Sequence, residues 1–445
     1  MRIRPGRFAI VCAAMIGLIS LLGIFTWHIV WLMLILVIVG LYLALRDYQH
    51  LKHSFDSLRI ERQLPAAGGR GGMFRVVWSL SSFSPSRLTG TFRDESPTEA
   101  SSRLLEHTFA LDPQQKEFEV SHSLTLPKRG RHTFGPLWVR LSGPYGFLDV
   151  QRSIPTTDTI RVLPETFAAV EYFRKEVGAD IRMLDLPTRT HQHGEGTEFE
   201  SLKEFRDGDD PRRIDWRATA RARVPIVAKF QVERHRDVMI LVDCGRLMGG
   251  AASPEFGSPT KLDSAIDAAL MLGRSALDGG DRCGIGLFDH TVRKYLPPVS
   301  GRPALGGLVD SVFDAPVQWT ESDFGPMFAT LQSRQSKRSL IVVLSDVTDQ
   351  ATTDTLRGSL SRLTKRHVVL FVAIRTPYLD RMIHSPLTTL QEASRKGTIF
   401  RLQQEREETL QGMRHLGIQI LDVPPHEVTV PLINQYVAIR SSNRL

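Results

Sequence analysis

Between Phe8 and Leu45 the chain carries no Asp, Glu, Lys or Arg. A stretch so long and so apolar has no place on the surface of a water-soluble fold. With no water to satisfy its peptide groups, it must be helical. It exceeds one ordinary span and suits two of roughly 18–20 residues. The break falls at Thr26-Trp27-His28, where Trp27 and Trp31 would lie at the membrane–water boundary that indoles prefer. Spans at about 8–25 and 29–45 are predicted. A cleaved secretory signal is the weaker reading, because the apolar region far outruns a signal core and lacks a clean small-x-small exit. Arg2, Arg4 and Arg7 precede the first span, and Arg46, Lys52 and Arg59 follow the second. Basic residues on both flanks put both ends in the cytoplasm. Residues 1–45 are therefore read as a transmembrane hairpin with the remaining domains cytosolic.

The net charge of +8 over 445 residues is modest. It suits apposition to an anionic membrane surface better than dedicated nucleic-acid binding. The three cysteines, Cys12, Cys244 and Cys283, contain no CxxC pair. They point to reduced, buried thiols rather than a zinc ribbon or a disulfide framework.

The soluble part changes character along its length. Residues 46–57 read as a juxtamembrane helix. From 58 to 164, short alternating runs such as MFRVVWSLSSF and KEFEVSHSLTLP are separated by Gly, Pro, Ser and Asp, as in a β-sandwich. Gly130, Gly135 and Pro144 to Gly146 mark turns there. Residues 165–195 form a connector, whose His191-Gln192-His193 lacks a third metal ligand nearby. From 236 to 445, apolar strands (VMILVDC, DRCGIGLFD, RSLIVVLSD, HVVLFVAI, IQILDVPP) alternate with helical stretches. TVRKYLPP reads as the returning arm of a hairpin. This pattern predicts a doubly wound parallel sheet, so the fold class is α/β.

Between these domains lies a charged block, residues 196–235. It is dense in both signs yet carries Phe199, Phe205, Trp216 and Phe230, too many aromatics for a disordered linker. Its elements Glu198-Phe199, Leu202, Phe205-Arg206, Gly208-Asp209, Arg213-Ile214-Asp215-Trp216, Ala220-Arg221 and Glu233 resemble the bacterial domain of unknown function 58 family. So does the tail from Pro424 to Tyr436. In that family a similar β-domain segment carries an Asp-Pro-aromatic-Gly, where this chain has Gly143 in place of the Asp. The resemblance implies a von Willebrand factor A-like domain after the block and an anchor in the bacterial cytoplasmic (inner) membrane. It also implies a MoxR-type AAA+ ATPase as partner, with a transglutaminase-like protein as a further one. The residues Glu198, Phe199, Phe205, Arg206, Asp209, Arg213, Asp215, Trp216 and Arg221 then form either a docking surface for an acidic partner or an interdomain clamp of Asp–Arg pairs.

Two strands end in an acid, at Asp243 and Asp346. In von Willebrand A domains such positions help hold a divalent cation, together with two serines and a threonine. Here Gly245 and Leu247 stand where the serines belong, and Ser322 falls near the threonine position. A degenerate set of Asp243, Ser322 and Asp346 would hold hydrated Mg²⁺ only weakly. Arg246 is the residue expected to supply the missing positive charge. No GxxxxGK[ST], GxSxG or HExxH occurs, and a thiol beside a carboxylate, as Cys244 beside Asp243, is a poor nucleophile. No nucleic-acid motif appears. The expectation is a non-enzymatic, membrane-anchored adaptor. The alternative is a metal-dependent ligand receptor or hydrolase centred on Asp243 and Asp346.

Overall fold

The computed structural model describes residues 2–22, 27–84, 86–101, 104–113, 117–165, 198–206, 211, 214–231, 236–253, 258–347, 358–384, 386 and 389–442. They form two compact units, Met1–Leu163 and Pro164–Leu445. The connector at 165–195 with His191 and His193, and Asp209 and Arg213 of the charged block, lie outside the described residues apart from Glu165.

The first unit begins with β1 (Arg2–Pro5), α1 (Arg7–Leu22) and α2 (Trp27–Ser57). Ten strands follow: β2 (Leu58–Gln63), β3 (Ala67–Gly69), β4 (Met73–Ser82), β5 (Leu88–Glu95), β6 (Leu104–Leu111), β7 (Glu117–Thr125), β8 (Gly130–Thr133), β9 (Leu137–Ser142), β10 (Leu148–Ile154) and β11 (Thr159–Leu163). They form a five-stranded sheet in the order β1-β10-β9-β5-β6 and two three-stranded sheets, β2-β4-β7 and β3-β11-β8. Alternation sets the inward faces. Phe74, Val76, Trp78 and Leu80 of β4 are buried in one core with Phe92 of β5, Phe109 of β6 and Val139 and Leu141 of β9.

Two details depart from the sequence reading. The helix expected at 46–57 is not separate. No Pro or Gly interrupts the chain there, and α2 runs unbroken while its last turns place Leu51 and Phe55 in the β core. One helix, Val30–Ser57, is long and apolar enough to cross a membrane. The apolar helix before it is shorter: the 16 residues of α1 span about 24 Å, less than a bilayer's hydrocarbon core.

The N-terminal segment, read from sequence only as a basic flank, is a strand. β1 pairs antiparallel with β10, Arg2 opposite Gln151 and Pro5 opposite Leu148. The Gly6 N–H donates to the Phe147 carbonyl at 2.8 Å and the Phe8 N–H to that of Gly146 at 3.2 Å. Asp47 of α2 reaches the same loop. Its carboxylate accepts the backbone N–H groups of Tyr145 (3.0 Å), Phe147 (2.7 Å) and Leu148 (3.2 Å), and it is fully buried. The start of α1 and the middle of α2 are thus pinned to one loop, so the two helices leave it and return to it as a hairpin. A Cβ at Gly143 would lie 2.3 Å from the Asp47 carboxyl carbon. The loop that lacks its own aspartate at 143 therefore has the room to receive one from α2.

Asp47→Ala removes three charge-assisted hydrogen bonds from the loop. It should cost about 3 kcal/mol, read as a lowered thermal midpoint of the detergent-extracted chain. An unchanged midpoint would contradict the role given to Asp47.

The second unit contains β12 (Glu198–Glu204), α3 (Trp216–Ala222), β13 (Ile226–Gln231), β14 (Asp237–Asp243), α4 (Lys261–Asp278), β15 (Arg282–Phe288), β16 (Val292–Val299), α5 (Arg302–Val312), α6 (Phe324–Arg334), β17 (Ser339–Ser345), β18 (Val368–Ile374), α7 (Pro377–His384), α8 (Leu390–His415), β19 (Gln419–Val423) and α9 (Thr429–Ser441). β12 and β13 form their own antiparallel ribbon. The other six strands form a sheet in the order β16-β15-β14-β17-β18-β19, parallel except for the edge strand β16. Numbered within the sheet, that order is 3-2-1-4-5-6.

Every residue of β14 and β17 is buried, as expected of parallel strands covered on both faces. Met239 and Leu241 point to one face, into a core with Phe324 and Phe328 of α6 and Leu410 and Met413 of α8. Ile240 points to the other, where α4 approaches closely enough that a Cβ on Gly273 would meet it. Helices thus cover both faces. The order of connection reverses between β14 and β17, and in open sheets ligands bind beyond the carboxyl ends of the strands at such a point.

Candidate functional site

Asp243 and Asp346 stand at that switch point, one closing β14 and the other directly after β17. Both are buried. Neither is left open. Asp243 Oδ1 accepts the Ser322 hydroxyl at 2.5 Å and the Gly245 N–H at 2.8 Å, and its Oδ2 accepts the Ser345 hydroxyl at 2.5 Å. Ser322 therefore joins the site as the sequence predicts, but as a donor to the carboxylate. Burial pushes the Asp243 carboxyl above its ordinary range. The hydrogen bonds from Ser322, Ser345 and Gly245 act against that shift, and the nearby Asp346 adds to it.

Asp346 is held differently. Its Oδ2 receives the ammonium of Lys261, the first residue of α4. Lys261 is 2% exposed, and its Nζ also donates to the Thr376 hydroxyl at 2.7 Å. On the other side of Asp346, Arg406 Nε of α8 lies 3.6 Å from Oδ1. Arg406 continues to Asp422 of β19 at 3.1 Å, and Arg375, just past β18, approaches Asp422 at 3.6 Å. The carboxyl ends of β17, β18 and β19 are thus crossed by alternating charges: Lys261, Asp346, Arg406, Asp422, Arg375. A third acid, Asp289 after β15, is fully buried and tied to Arg293.

The positive charge expected from Arg246 comes instead from Lys261. Arg246 is half exposed and pairs with Glu321 at 3.2 Å. It is adjacent to Asp243 in sequence, but the short helical turn from Arg246 to Gly249 carries its side chain outward. Two glycines make the room. A Cβ at Gly245 would fall 2.0 Å from the Ser322 hydroxyl, and one at Gly250 would fall 2.8 Å from Lys261 Cε. A serine ligand at 245 is therefore incompatible with Ser322 where it lies. A divalent cation does not fit this donor set: one acid is committed to an ammonium and the other to protons from hydroxyl and amide groups. Among the described residues no group of three or more His, Cys, Asp or Glu is arranged to hold a metal ion. Of the thiols in this unit, Cys244 is buried, and burial pushes Cys283 up to about 12.

The described residues cover part of the charged block. Glu198 and Phe199 lie on β12, and Phe205 and Arg206 follow it. Phe205 is half-buried and Arg206 exposed. Asp215 does not enter an Asp–Arg pair among the described contacts. It is the N-cap of α3, accepting the backbone N–H groups of Arg217 at 2.9 Å and Ala218 at 3.1 Å. α3 ends at Arg223, in the left-handed conformation with φ 59°. No residue of α3 is buried: Trp216 is 72% exposed and Arg217 and Arg221 are exposed. Trp216 is thus no internal anchor within this unit.

The geometry describes a mixed α/β protein with β-sandwich-like sheets in its first unit and a doubly wound, mostly parallel sheet in its second. Residues 201–411 match the family described as "Protein of unknown function DUF58", and the chain carries a domain of that family. The match begins within β12 and ends within α8, so the charged ribbon and the larger part of the sheet belong to one family unit. Uncharacterized proteins of Mycobacterium tuberculosis and Mycobacterium bovis are 26% identical over 188 residues, covering 41% of this chain and 56% of each relative. The chain thus spans about half the length of the curated relatives it matches. Among solved structures, proximal thread matrix protein 1 from the mussel byssus is similar at 11% identity and a TM-score of 0.27, over 46% of each chain. A form of it with a zinc occupied MIDAS motif gives 12% identity and a TM-score of 0.24, over 32% of this chain and 36% of that one. At such TM-scores no property is carried across.

The raised Asp243 carboxyl gives a signed expectation. The folded chain binds that proton more tightly than the unfolded chain, so its contribution is complete below the ordinary aspartate value of about 3.9 and is lost as pH rises through the raised folded value. Thermal midpoints of the wild type should fall relative to Asp243→Asn as pH rises from about 4 to 8. A constant difference, or the opposite trend, would contradict the assignment.

Proposed function

We propose that this protein is a non-enzymatic interaction protein, anchored in the bacterial cytoplasmic membrane by the hairpin of α1 and α2, with its other domains cytosolic. Its doubly wound domain is of the von Willebrand factor A type. The ribbon β12–β13 with α3 is its docking element, and its partner is a MoxR-type AAA+ ATPase presenting an acidic surface. A transglutaminase-like protein is a further candidate, and nucleic acid is not.

The observation that carries this reading is α3. A helix of seven residues has little intrinsic stability, and helices are ordinarily held by a buried face. This one buries nothing and offers a tryptophan to solvent. Arg217, Arg221 and Arg223 of the same segment are exposed, and Asp215 is committed to the helix cap. Leu202 at 46% and Val224 at 40% exposure add apolar surface on the same ribbon-helix element. Exposed Trp with Arg is the composition of an interface hot spot. The strand order 3-2-1-4-5-6 with an antiparallel edge, and the acids at the switch point, support the domain type. The common docking of both helix ends on the 143–148 loop supports the hairpin.

The test is affinity purification of the detergent-extracted chain with and without ATP, for the wild type and for Trp216→Ala combined with Arg217→Ala. An AAA+ ATPase should be recovered in a nucleotide-dependent way. The double variant should keep its circular dichroism spectrum and lose at least about 30-fold in recovery, corresponding to a hot-spot loss of about 2 kcal/mol. Undiminished recovery by the variant would refute the docking element, and no recovery of an ATPase by the wild type would refute the partner.

A further inference from the structure

We propose that Lys261 is a resident cation: its ammonium occupies the place of a divalent ion at the switch point, so that the site is assembled without metal and gains metal binding only when this lysine is removed. Two independent features of the geometry carry the inference. The first is the donor set around Nζ. Asp346 Oδ2 and the Thr376 hydroxyl converge on it, and Asp346 Oδ1 is buried with no hydrogen-bond donor of its own. Carboxylate and hydroxyl oxygens are the ligands that Mg²⁺ and Mn²⁺ take. They are arranged here around a nitrogen cation. The second is the space. Gly250 leaves the gap filled by the Lys261 methylene chain, and the Lys261 backbone N–H donates to the Gly250 carbonyl at 2.8 Å. Thr260, the helix N-cap, fixes the turn through a reciprocal pair with Asp263. The lysine is delivered to the acid by a locked backbone.

Charge explains why an ion and this lysine exclude one another. Lys261, Arg406 and Arg375 already face Asp346 and Asp422. A divalent cation added to that row would meet three positive groups. One ammonium charge cannot neutralise both Asp346 and Asp243, which accounts for the second acid being held by two hydroxyls and an amide instead. Removing the ammonium leaves Asp346 with a vacated volume beside it and Thr376 in reach, which is a site for a small divalent ion.

The probes are Mn²⁺, followed by electron paramagnetic resonance, and Mg²⁺ against EDTA in thermal melts of the detergent-extracted full chain. Wild type should bind no stoichiometric Mn²⁺ and melt alike in EDTA and Mg²⁺. Lys261→Ala should melt lower in EDTA, bind one equivalent of Mn²⁺ at least about tenfold more tightly than wild type, and recover stability on binding. Adding Asp346→Asn should abolish that gain. Stoichiometric Mn²⁺ on wild type that is lost in Asp346→Asn would overturn the proposal, as would a Lys261→Ala chain that gains no Mn²⁺. If Lys261→Ala does not fold in EDTA, refolding yield reads the same quantity: a yield restored by Mn²⁺ supports the proposal and equal failure in both buffers overturns it.

Discussion

The buried contact between Lys261 and Asp346 governs how the carboxyl end of the parallel sheet can be used. An ammonium taken out of water is tolerated only beside a compensating group such as a carboxylate, and removing one partner of such a pair costs about 3–5 kcal/mol. Here the pair joins the start of α4 to the end of β17, and Thr376 brings in the end of β18. Arg406 extends the chain of charges to α8 and β19. One contact thus ties together the elements that border the crevice where a doubly wound sheet would ordinarily receive a ligand. The crevice is spent on internal ion pairs.

Internal ion pairs cross the switch point, and the docking element proposed above, the ribbon β12–β13 with α3, lies elsewhere in the unit. Among the described residues its two strands pair with each other, Ile214 bridges to Val227, and no residue of its helix is buried. The family match runs from within β12 through α3, β13 and five of the six sheet strands, so α3 lies within the matched domain. In the first unit a parallel logic applies at the other end of the chain. A single carboxylate, Asp47, receives three backbone N–H groups of one loop and joins the apolar helices to the β core.

What was legible in the sequence followed periodicity and strand ends. Ser322 is suggested only by resemblance to von Willebrand A domains, whereas the apolar run, the alternating strands and the parallel strands closing on Asp243 and Asp346 all leave a local signature. The residues that complete the site do not. Lysine is ordinarily exposed, and one placed directly after a threonine cap reads as a solvated helix start; only the three-dimensional gap at Gly250 shows Lys261 turning inward. Arg246 is the cation that proximity in sequence to Asp243 suggests, whereas Lys261 at the start of α4 is the one that pairs with Asp346. Ser345 and Arg406 sit in a buried strand and a charged helix, where nothing in the local pattern marks them. Asp47 was hidden in a basic, membrane-adjacent segment, and β1 is too short and too charged to announce itself as a strand. Asp215, one of the residues read as a docking surface or an Asp–Arg clamp, caps α3, a role that Asp immediately before WRATARA also fits.

Two exposed tryptophans separate the account from its rival in a single measurement. Trp216 stands on the ribbon-helix element and Trp319, 77% exposed, on the loop that carries Ser322 to the switch point. A photo-crosslinking residue placed at 216 or at 319 in the full chain, activated in cells, reports which surface meets a partner. A discrete protein adduct is expected from position 216 and none from 319. An adduct from 319 alone would mean that the closed crevice is the recognition surface after all.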